Sequence, residues 1–215
     1  VRQIAGALAE AHDRGFVHRD IKPGNVFLAR HGGLPDVIKV LDYGLVRDVD
    51  DGAGPSPRGT VLGTPAYMAP ESIRSPDAVG PAADLYALGG VAFFLLTGRT
   101  PFEGDSVAAL LAQHLNVPAS APSRFVAAVP PALDALVLAC LAKEPGARPR
   151  DARAIVAALD AIPAWTHDDA AGWWRAHLSG APAGEALGQA ETLAIDWSWE
   201  RRPTAGARSG RPSRA

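Results

Sequence analysis

The chain has 215 residues, 47% of them hydrophobic and 20% charged, which is typical of one globular domain or two small ones and excludes a disordered or fibrous protein. The net charge is −2, but the last 15 residues carry five arginines and no acidic residue, so the preceding 200 carry −7. At this charge the folded part is not expected to bind nucleic acid. The single cysteine, Cys140, excludes an internal disulfide and is typical of a reducing compartment, so we expect a cytoplasmic protein.

The longest uncharged apolar run, Leu85–Gly98, is 14 residues long and therefore too short to span a bilayer. It predicts a buried helix, and we expect no membrane segment in this chain. The sequence starts at Val1 with neither an initiator methionine nor a signal-peptide pattern, so we expect it to be the middle of a longer protein.

The first 41 residues predict a helix, a loop and a hairpin. Residues 1–14 place apolar side chains on one face at helical spacing, and Gly15 can end that helix in a left-handed conformation. Residues 16–25 are too irregular for a regular element and predict a loop. Two β-branched runs at 26–28 and 37–41, joined by a linker that contains glycine and proline, predict a short hairpin.

Residues 44–66 are rich in Gly, Pro, Asp and Ser and predict a long loop, which inside a compact domain is usually functional. From residue 83 onward the pattern is helical. Asp84 opens a segment that is apolar nearly all round and should be buried on every side. Three further helices are predicted, and their start signals are Asp105 or Ser106, Pro130-Pro131 and Asp151.

The composition changes after residue 162, where Ala, Gly, Trp and Arg dominate without a sustained period. We therefore divide the chain into a domain at 1–162 and a weakly ordered tail at 163–215. The tail holds five tryptophans, which could dock it on the domain or on a partner, and docking on the domain is favoured. Its arginines could contact anionic lipid or nucleic acid, but a solvated tail is the more ordinary interpretation.

Three short motifs lie within the first third of the chain. Residues 18–25 (HRDIKPGN) precede the predicted hairpin, residues 42–44 (DYG) follow it, and residues 69–71 (APE) close the long loop. In this order they resemble the catalytic loop, the metal-binding loop and the end of the activation segment of protein kinases. Lys22 and the run Gly63–Tyr67 resemble the serine/threonine branch of that family.

The resemblance covers roughly residues 1–162, and within the family this stretch of sequence is most similar to bacterial eukaryotic-like serine/threonine kinases. It implies an α+β fold, mainly α here: the large, C-terminal lobe of a protein kinase with a β-hairpin at its cleft. It also implies transfer of the ATP γ-phosphate, with Mg²⁺, to Ser or Thr hydroxyls of protein substrates.

Five residues would carry that chemistry by resemblance. Asp20 would accept the proton of the substrate hydroxyl, and Lys22 would reach the transferred phosphate as a point charge. Asn25 and Asp42 would be oxygen ligands of Mg²⁺, and Phe27 would form the floor of the adenine pocket. The simpler interpretations are a turn residue for Asp20, a helix or turn cap for Asp42 and a core position for Phe27.

Four residues are regulatory candidates. The resemblance makes Arg19 the partner of a phosphorylated activation loop, although an ordinary surface arginine is the alternative. The expected phosphorylation site is Thr60 and, less favoured, Ser56. Thr64 would contact Asp20 and Lys22 near the acceptor site.

Five further residues are expected to be structural. His18 would pack under the aromatic ring of the metal-binding loop, where Tyr43 replaces the usual phenylalanine. Glu71 and Arg148 would pair and hold the activation segment to the helical lobe. Asp84 would hydrogen-bond the catalytic-loop backbone or act as a charge at a helix N-terminus, and both roles are compatible.

The 215 residues contain no glycine-rich loop, no Val-Ala-x-Lys strand and no partner glutamate on a following helix. We therefore expect the small lobe of the same protein to be missing and to be the chain's partner. The alternative is a truncated, inactive lobe that acts at most as a protein-docking module. A pseudokinase is disfavoured because Asp20, Lys22, Asn25 and Asp42 are all intact.

Four other histidines lack metal-ligand spacing and are expected to be surface or half-buried residues: His12, His31, His114 and His167. Cys140 is expected to pack in the core.

Overall fold

The computed structural model describes residues 1–31, 34–42, 64–76, 79–163, 166–178 and 192–193. These residues form a mainly helical protein with one small sheet, as predicted. The helices are α1 Arg2–Asp13, α2 Pro70–Arg74, α3 Pro81–Thr97, α4 Val107–Asn116, α5 Pro131–Cys140, α6 Ala152–Asp160 and α7 His167–Leu178. The strands are β1 Val26–His31, β2 Leu34–Val40 and β3 Thr192–Leu193.

Helix α3 forms the centre of the core because its apolar side chains point in all directions. Its Leu85 and Leu88 lie in one fully buried cluster with Ile4 and Leu8 of α1 and Ile155 of α6. Burial of one such side chain contributes about 1.5–3 kcal/mol, so this contact fixes α1, and with it the loop that follows α1.

Helix α3 begins at Pro81, three residues before the predicted start at Asp84. Proline fits the first helical turn, since its missing N–H would have no intrahelical acceptor there. Asp84 consequently lies inside the first turn, and its carboxylate is used outside the helix.

Several helix ends confirm the predicted signals. Gly15 follows α1 with φ +80°, the left-handed conformation that glycine adopts without strain. Between the two candidates for the start of α4, Ser106 is the cap, because its Oγ accepts from Ala109 N at 3.1 Å. Asp151 caps α6 and accepts from Ala154 N at 2.7 Å.

The hairpin has longer strands than predicted. Strands β1 and β2 pair antiparallel from Val26↔Val40 to Ala29↔Val37, with a bulge before His31. Pro35, which was predicted to lie in the linker, is the second residue of β2. The strand tolerates it because β2 is at the edge of the sheet, whose order is β2-β1-β3.

The prediction of a weakly ordered tail missed helix α7. Thr166 and Asp169 form a reciprocal cap: Thr166 N donates to Asp169 Oδ2 at 2.9 Å, and Asp169 N donates to Thr166 Oγ1 at 3.1 Å. Ala170 and Trp174 are both buried, and at a spacing of four they form a short apolar stripe. The Thr-x-x-Asp capping signal is therefore present in the sequence. The apolar pattern of α7 consists of only two buried residues, however, which is too few to indicate a helical period.

Most of the predicted 44–66 loop lies outside the described residues, and so do Tyr43, Ser56 and Thr60. Across the part of the chain that the structure describes, no helix is both long and apolar enough to cross a membrane.

Candidate active site

The loop between α1 and β1 holds Asp20, whose carboxylate accepts from three residues. Oδ2 accepts from Lys22 Nζ at 2.6 Å and from Asn25 Nδ2 at 3.2 Å. Oδ1 accepts from both the backbone N and the Oγ1 of Thr64, each at 3.2 Å. These bonds fix the orientation of the carboxylate and bring four of the predicted site residues into one cluster.

The side chain of Asn25 is held by its amide nitrogen. Besides the carboxylate, Nδ2 donates to the backbone carbonyl of Asp20 at 2.8 Å, and the residue is buried. Both contacts use the donor end of the amide, so Oδ1 is the atom with which Asn25 can bind a ligand.

The base of the hairpin brings Asp42 to the same end of the sheet as Asn25. Leu41 N donates to the carbonyl of Asn25 at 2.9 Å, directly beyond the last pair of the β1–β2 ladder. Asp42 follows with φ +60°, a left-handed conformation in which aspartate is several-fold more frequent than most residues. Its side chain is exposed, so its carboxylate is accessible to a ligand.

His18 connects the two acidic residues through the backbone. It is fully buried, and its Nε2 lies 3.0 Å from the carbonyl of Leu41, which can only accept. Nε2 is therefore the protonated nitrogen, and Nδ1 accepts from Asp20 N at 3.3 Å. Because both ring nitrogens bond the backbone, the ring is a spacer between the Asp20 and Asp42 segments.

Asp84 supports the loop from below. Its buried carboxylate accepts from the backbone N of His18 and of Arg19, each at 2.8 Å, and its Oδ2 lies 2.8 Å from His12 Nε2. Arg19 has φ +67°, and the bond to its N–H holds that left-handed conformation in place. His12, dismissed on its spacing, thus belongs to the support of the loop.

A second anchor joins Glu71 to Arg148. Arg148 Nη1 and Nη2 donate to the two Glu71 carboxylate oxygens at 2.6 and 2.7 Å. The other guanidinium hydrogens bond the carbonyls of Ala142, Ala82 and Lys143. The Arg148 side chain is completely buried, and five hydrogen bonds offset the cost of removing its charge from water.

The chain matches the model of the protein kinase domain over residues 1–158. The chain belongs to the protein kinase family. Its similarity to individual members is also substantial: it is 46% identical over 143 residues to the serine/threonine-protein kinase Pkn1 of Myxococcus xanthus. It is 39% identical over 167 residues to pkn3 of the same organism and 41% identical over 162 residues to PknL of Mycobacterium tuberculosis.

These alignments cover 66%, 75% and 75% of the chain but 20%, 30% and 39% of Pkn1, pkn3 and PknL respectively. The chain therefore spans well under half the length of the kinases that it matches.

The remaining predicted site residues are placed as follows. Phe27 is half-buried in β1 opposite Lys39 of β2. Arg19 Nη2 lies 3.5 Å from the carbonyl of Val79, while its Nε has no hydrogen-bond partner among the described residues. Among those residues, no cluster of three His, Cys, Asp or Glu side chains suited to a metal occurs.

The prediction that His114 is a surface or half-buried histidine is wrong, because its ring is fully buried against the rings of Tyr86 and Phe102. Tyr86 Oη and His114 Nδ1 are 2.8 Å apart. Burial lowers the pKa of His114 to about 4, and the nearby Lys143 ammonium contributes. Burial also raises the pKa of Tyr86, so the tyrosine hydroxyl is the donor and the neutral imidazole accepts.

The Lys143 Nζ lies 4.2 Å from the Phe102 ring centroid, and partial burial lowers the pKa of Lys143 to about 8.

Proposed function

We propose that this chain is the large lobe of a protein serine/threonine kinase, which transfers the γ-phosphate of ATP to Ser or Thr hydroxyls of protein substrates. The observation that carries the proposal is the Asp20 cluster: one carboxylate is oriented by Lys22, Asn25 and Thr64. Phosphoryl transfer requires positioning and charge neutralisation more than covalent participation of the protein, and such a cluster supplies both.

Asn25 and Asp42 fit a magnesium ion. Mg²⁺ prefers a few oxygen ligands from the protein and keeps its other positions for water and phosphate. Asn25 presents an amide oxygen, since its nitrogen is engaged, and Asp42 presents an exposed carboxylate at the same end of the hairpin. When bound, Mg²⁺ and ATP would supply the phosphoryl group and neutralise its negative charge.

The other residues of the cluster act on the acceptor. Asp20 would orient the substrate hydroxyl and accept its hydrogen bond through one carboxylate oxygen. Lys22, at 2.6 Å from Oδ2, would shift its ammonium toward the phosphoryl oxygens and remain within reach of Asp20. Thr64 bonds Oδ1 through two donors and so fixes the face that Asp20 turns to a substrate.

The remaining nucleotide contacts are proposed to come from a small lobe, because no glycine-rich loop or Val-Ala-x-Lys strand occurs in the 215 residues. The chain alone is accordingly expected to transfer no phosphate. The alternative function, a docking module without catalysis, predicts that it stays inactive after a small lobe is added.

The test uses the chain joined at Val1 to the small lobe of a related bacterial kinase, here called the joined kinase. Circular dichroism first establishes that it is folded, and radiolabelled ATP with Mg²⁺ and a basic protein substrate then measures transfer. We expect labelling of Ser or Thr that is lost in Asp20→Asn. A folded joined kinase without activity, or activity that survives Asp20→Asn, would overturn the proposal.

A further inference from the structure

Helix α7 lies on strand β2, on the hairpin that joins Asn25 to Asp42. Its Trp174 is 3% exposed, and the indole Nε1 donates to Asp36 Oδ1 at 2.5 Å. A buried indole N–H needs a hydrogen-bond acceptor, and the acceptor of Trp174 belongs to the hairpin and not to α7. The contact therefore fixes both where α7 lies and how Asp36 is oriented.

Asp36 is held from two sides. It has φ +57°, a left-handed conformation that costs about 1–2 kcal/mol for a residue with a Cβ, although aspartate adopts it more readily than most. Its carbonyl accepts from Gln3 Nε2 at 2.5 Å, and Gln3 Oε1 in turn accepts from Ile38 N at 2.9 Å. Helix α1 thus holds the backbone of β2, while α7 holds the Asp36 side chain.

The same C-terminal segment also reaches the other strand. Strand β3 pairs antiparallel with β1, with Leu193 opposite Leu28 and Thr192 opposite Ala29. A two-stranded hairpin is marginally stable in water by itself, so the flanking contacts decide whether it is ordered. Residues beyond position 166 supply contacts to both of its strands.

We propose that α7 is an intramolecular docking element for the hairpin, and that Trp174 is a positioning residue which, through Asp36, sets the placement of Asp42 relative to Asn25. The proposal rests on the proposed function, in which those two residues hold Mg²⁺. The ladder of β2 transmits the effect: Asp36 precedes Val40 by four residues, about 13 Å of strand, and Asp42 follows directly after it. When β2 loses its support from α7, the β1–β2 ladder that carries Asp42 is weakened, whereas Asn25 is also held by its own bonds to Asp20.

Hydrogen–deuterium exchange of the full 215-residue chain tests the docking without reference to activity. Trp174→Phe keeps an aromatic ring but removes the indole donor, and loss of one buried hydrogen bond corresponds to about a two- to tenfold change in the opening equilibrium. We expect the β2 amides to exchange faster by that factor in Trp174→Phe, and faster still in Trp174→Ala, with α3 unchanged. The matched control is Asp168→Asn, at an exposed position in the first turn of α7, which should leave exchange in β2 at the wild-type rate.

Unchanged exchange of the β2 amides in Trp174→Ala would overturn the docking. Rapid exchange of the β2 amides in the wild-type chain, with α3 protected from exchange, would overturn it as well. If Trp174→Ala unfolds the whole chain, so that α3 loses protection as well, β2 exchange in Trp174→Phe is compared with that in Asp168→Asn. Faster exchange in Trp174→Phe alone supports the docking, and equal exchange in the two variants overturns it.

The consequence for the active site is tested in the joined kinase. We expect Trp174→Phe to raise the Mg²⁺ concentration for half-maximal activity about two- to tenfold and to leave the KM for the protein substrate unchanged. Equal changes in both parameters, or in neither, would overturn the positioning role. Absence of any Asp20-dependent activity would overturn the proposed function instead, whereas the exchange result would stand independently.

Discussion

Three non-glycine residues near the candidate site have left-handed backbone conformations: Arg19, Asp36 and Asp42, with φ of 67°, 57° and 60°. Each is held by a group from elsewhere in the chain. Asp84 binds the N–H of Arg19, Gln3 binds the carbonyl of Asp36, and His18 binds the carbonyl of the residue before Asp42. Such unfavourable conformations persist where several contacts with surrounding residues hold the backbone in place, and they are common at functional sites.

Asp20→Asn is expected to lower kcat of the joined kinase by about 10²–10⁴, the usual effect of removing a positioned acid–base group. The amide preserves the size of the side chain but has only one acceptor oxygen for the four hydrogen bonds that Asp20 accepts. Steady-state phosphorylation assays measure the change. The control is Asp13→Asn, at an exposed aspartate paired with Arg153, which should retain wild-type kcat. A near wild-type kcat for Asp20→Asn would contradict the proposed role of Asp20.

Asp42→Ala is expected to weaken strongly the effect of Mg²⁺ on ATP binding, because it removes the charged one of two proposed oxygen ligands. Calorimetric titration of the joined kinase with ATP, with and without Mg²⁺, measures this. Asp105→Ala removes an exposed carboxylate that begins no helix and should leave the Mg²⁺ effect intact. A preserved Mg²⁺ effect in Asp42→Ala would contradict the proposed ligand set.

His114 predicts a loss of stability in mild acid. Its pKa in the folded chain is about 4, below the ordinary value of 6.5, so the unfolded chain binds more protons between these values. The full contribution of the neutral ring is therefore present above pH 6.5 and is lost progressively as the pH falls toward 4, by about 3 kcal/mol in all.

Urea unfolding of wild type and His114→Gln at pH 7.5 and pH 5 checks this effect. The variant has no imidazole to protonate, so its stability should fall less between the two pH values than that of the wild type. Equal falls would show that other groups dominate the acid sensitivity.

For individual residues, the motifs and the family resemblance predict Asp20, Lys22 and Asn25 as site residues and Glu71 and Arg148 as a pair, but no sequence pattern indicates the contacts of His12 and His114. Asp20, Lys22 and Asn25 stand within six residues and are brought together by one loop. His12 and His114 carry no spacing signal, because their partners Asp84 and Tyr86 lie 72 and 28 residues away. Only the packing of α3 against its neighbours reveals them.

Among the elements, α2 is attached to the helical core by a buried ion pair. Glu71 in its first turn meets Arg148, whose side chain also bonds the carbonyl of Ala82 in α3. Arg148→Lys would leave Glu71 without its bidentate partner and several carbonyls without donors. Removing one partner of such a buried pair costs about 3–5 kcal/mol, and Arg148→Lys, which keeps the charge but not the planar fork, is expected to cost about 2–3 kcal/mol.

Chemical denaturation of the 215-residue chain measures that loss. Arg150→Lys provides the matched control, because Arg150 is exposed and its ion pair with Asp151 contributes at most about 1 kcal/mol. Similar losses of stability in the two variants would show that the burial of Arg148 adds nothing.

The predicted elements were most accurate where a long apolar period coincided with a start signal, as in α4, α5 and α6. Element bounds were less predictable. Helix α3 starts earlier than its first acidic residue because proline initiates it, and β2 continues through a proline that its edge position tolerates. Helix α7 was missed because it is stabilised mainly by contact with β2, which no local period records.

For the molecule as a whole, the long segment between Asp42 and Thr64 connects the hairpin to the Asp20 cluster. Thr64, at the end of this segment, donates two hydrogen bonds to Asp20. The adjacent residue, Arg19, has a guanidinium Nε without a hydrogen-bond partner among the described residues. A phosphate on this segment would bring about 1.5–2 negative charges and three acceptor oxygens near that guanidinium. Phosphorylation is thus expected to bind the segment to Arg19, beside the Asp20 cluster.

The expected modification site is Thr60, four residues before Thr64. Thr60→Ala should lower kcat of the joined kinase severalfold, since charge-assisted hydrogen bonds to Arg19 would be lost. Arg19→Gln should have the same effect, and the double variant should be no worse than either single one if the two groups act as a pair. Ser56→Ala, in the same segment, serves as the control and should stay near wild type. Mass spectrometry of the active enzyme must find phosphate on Thr60, and additive losses in the double variant would show that Arg19 and Thr60 act separately.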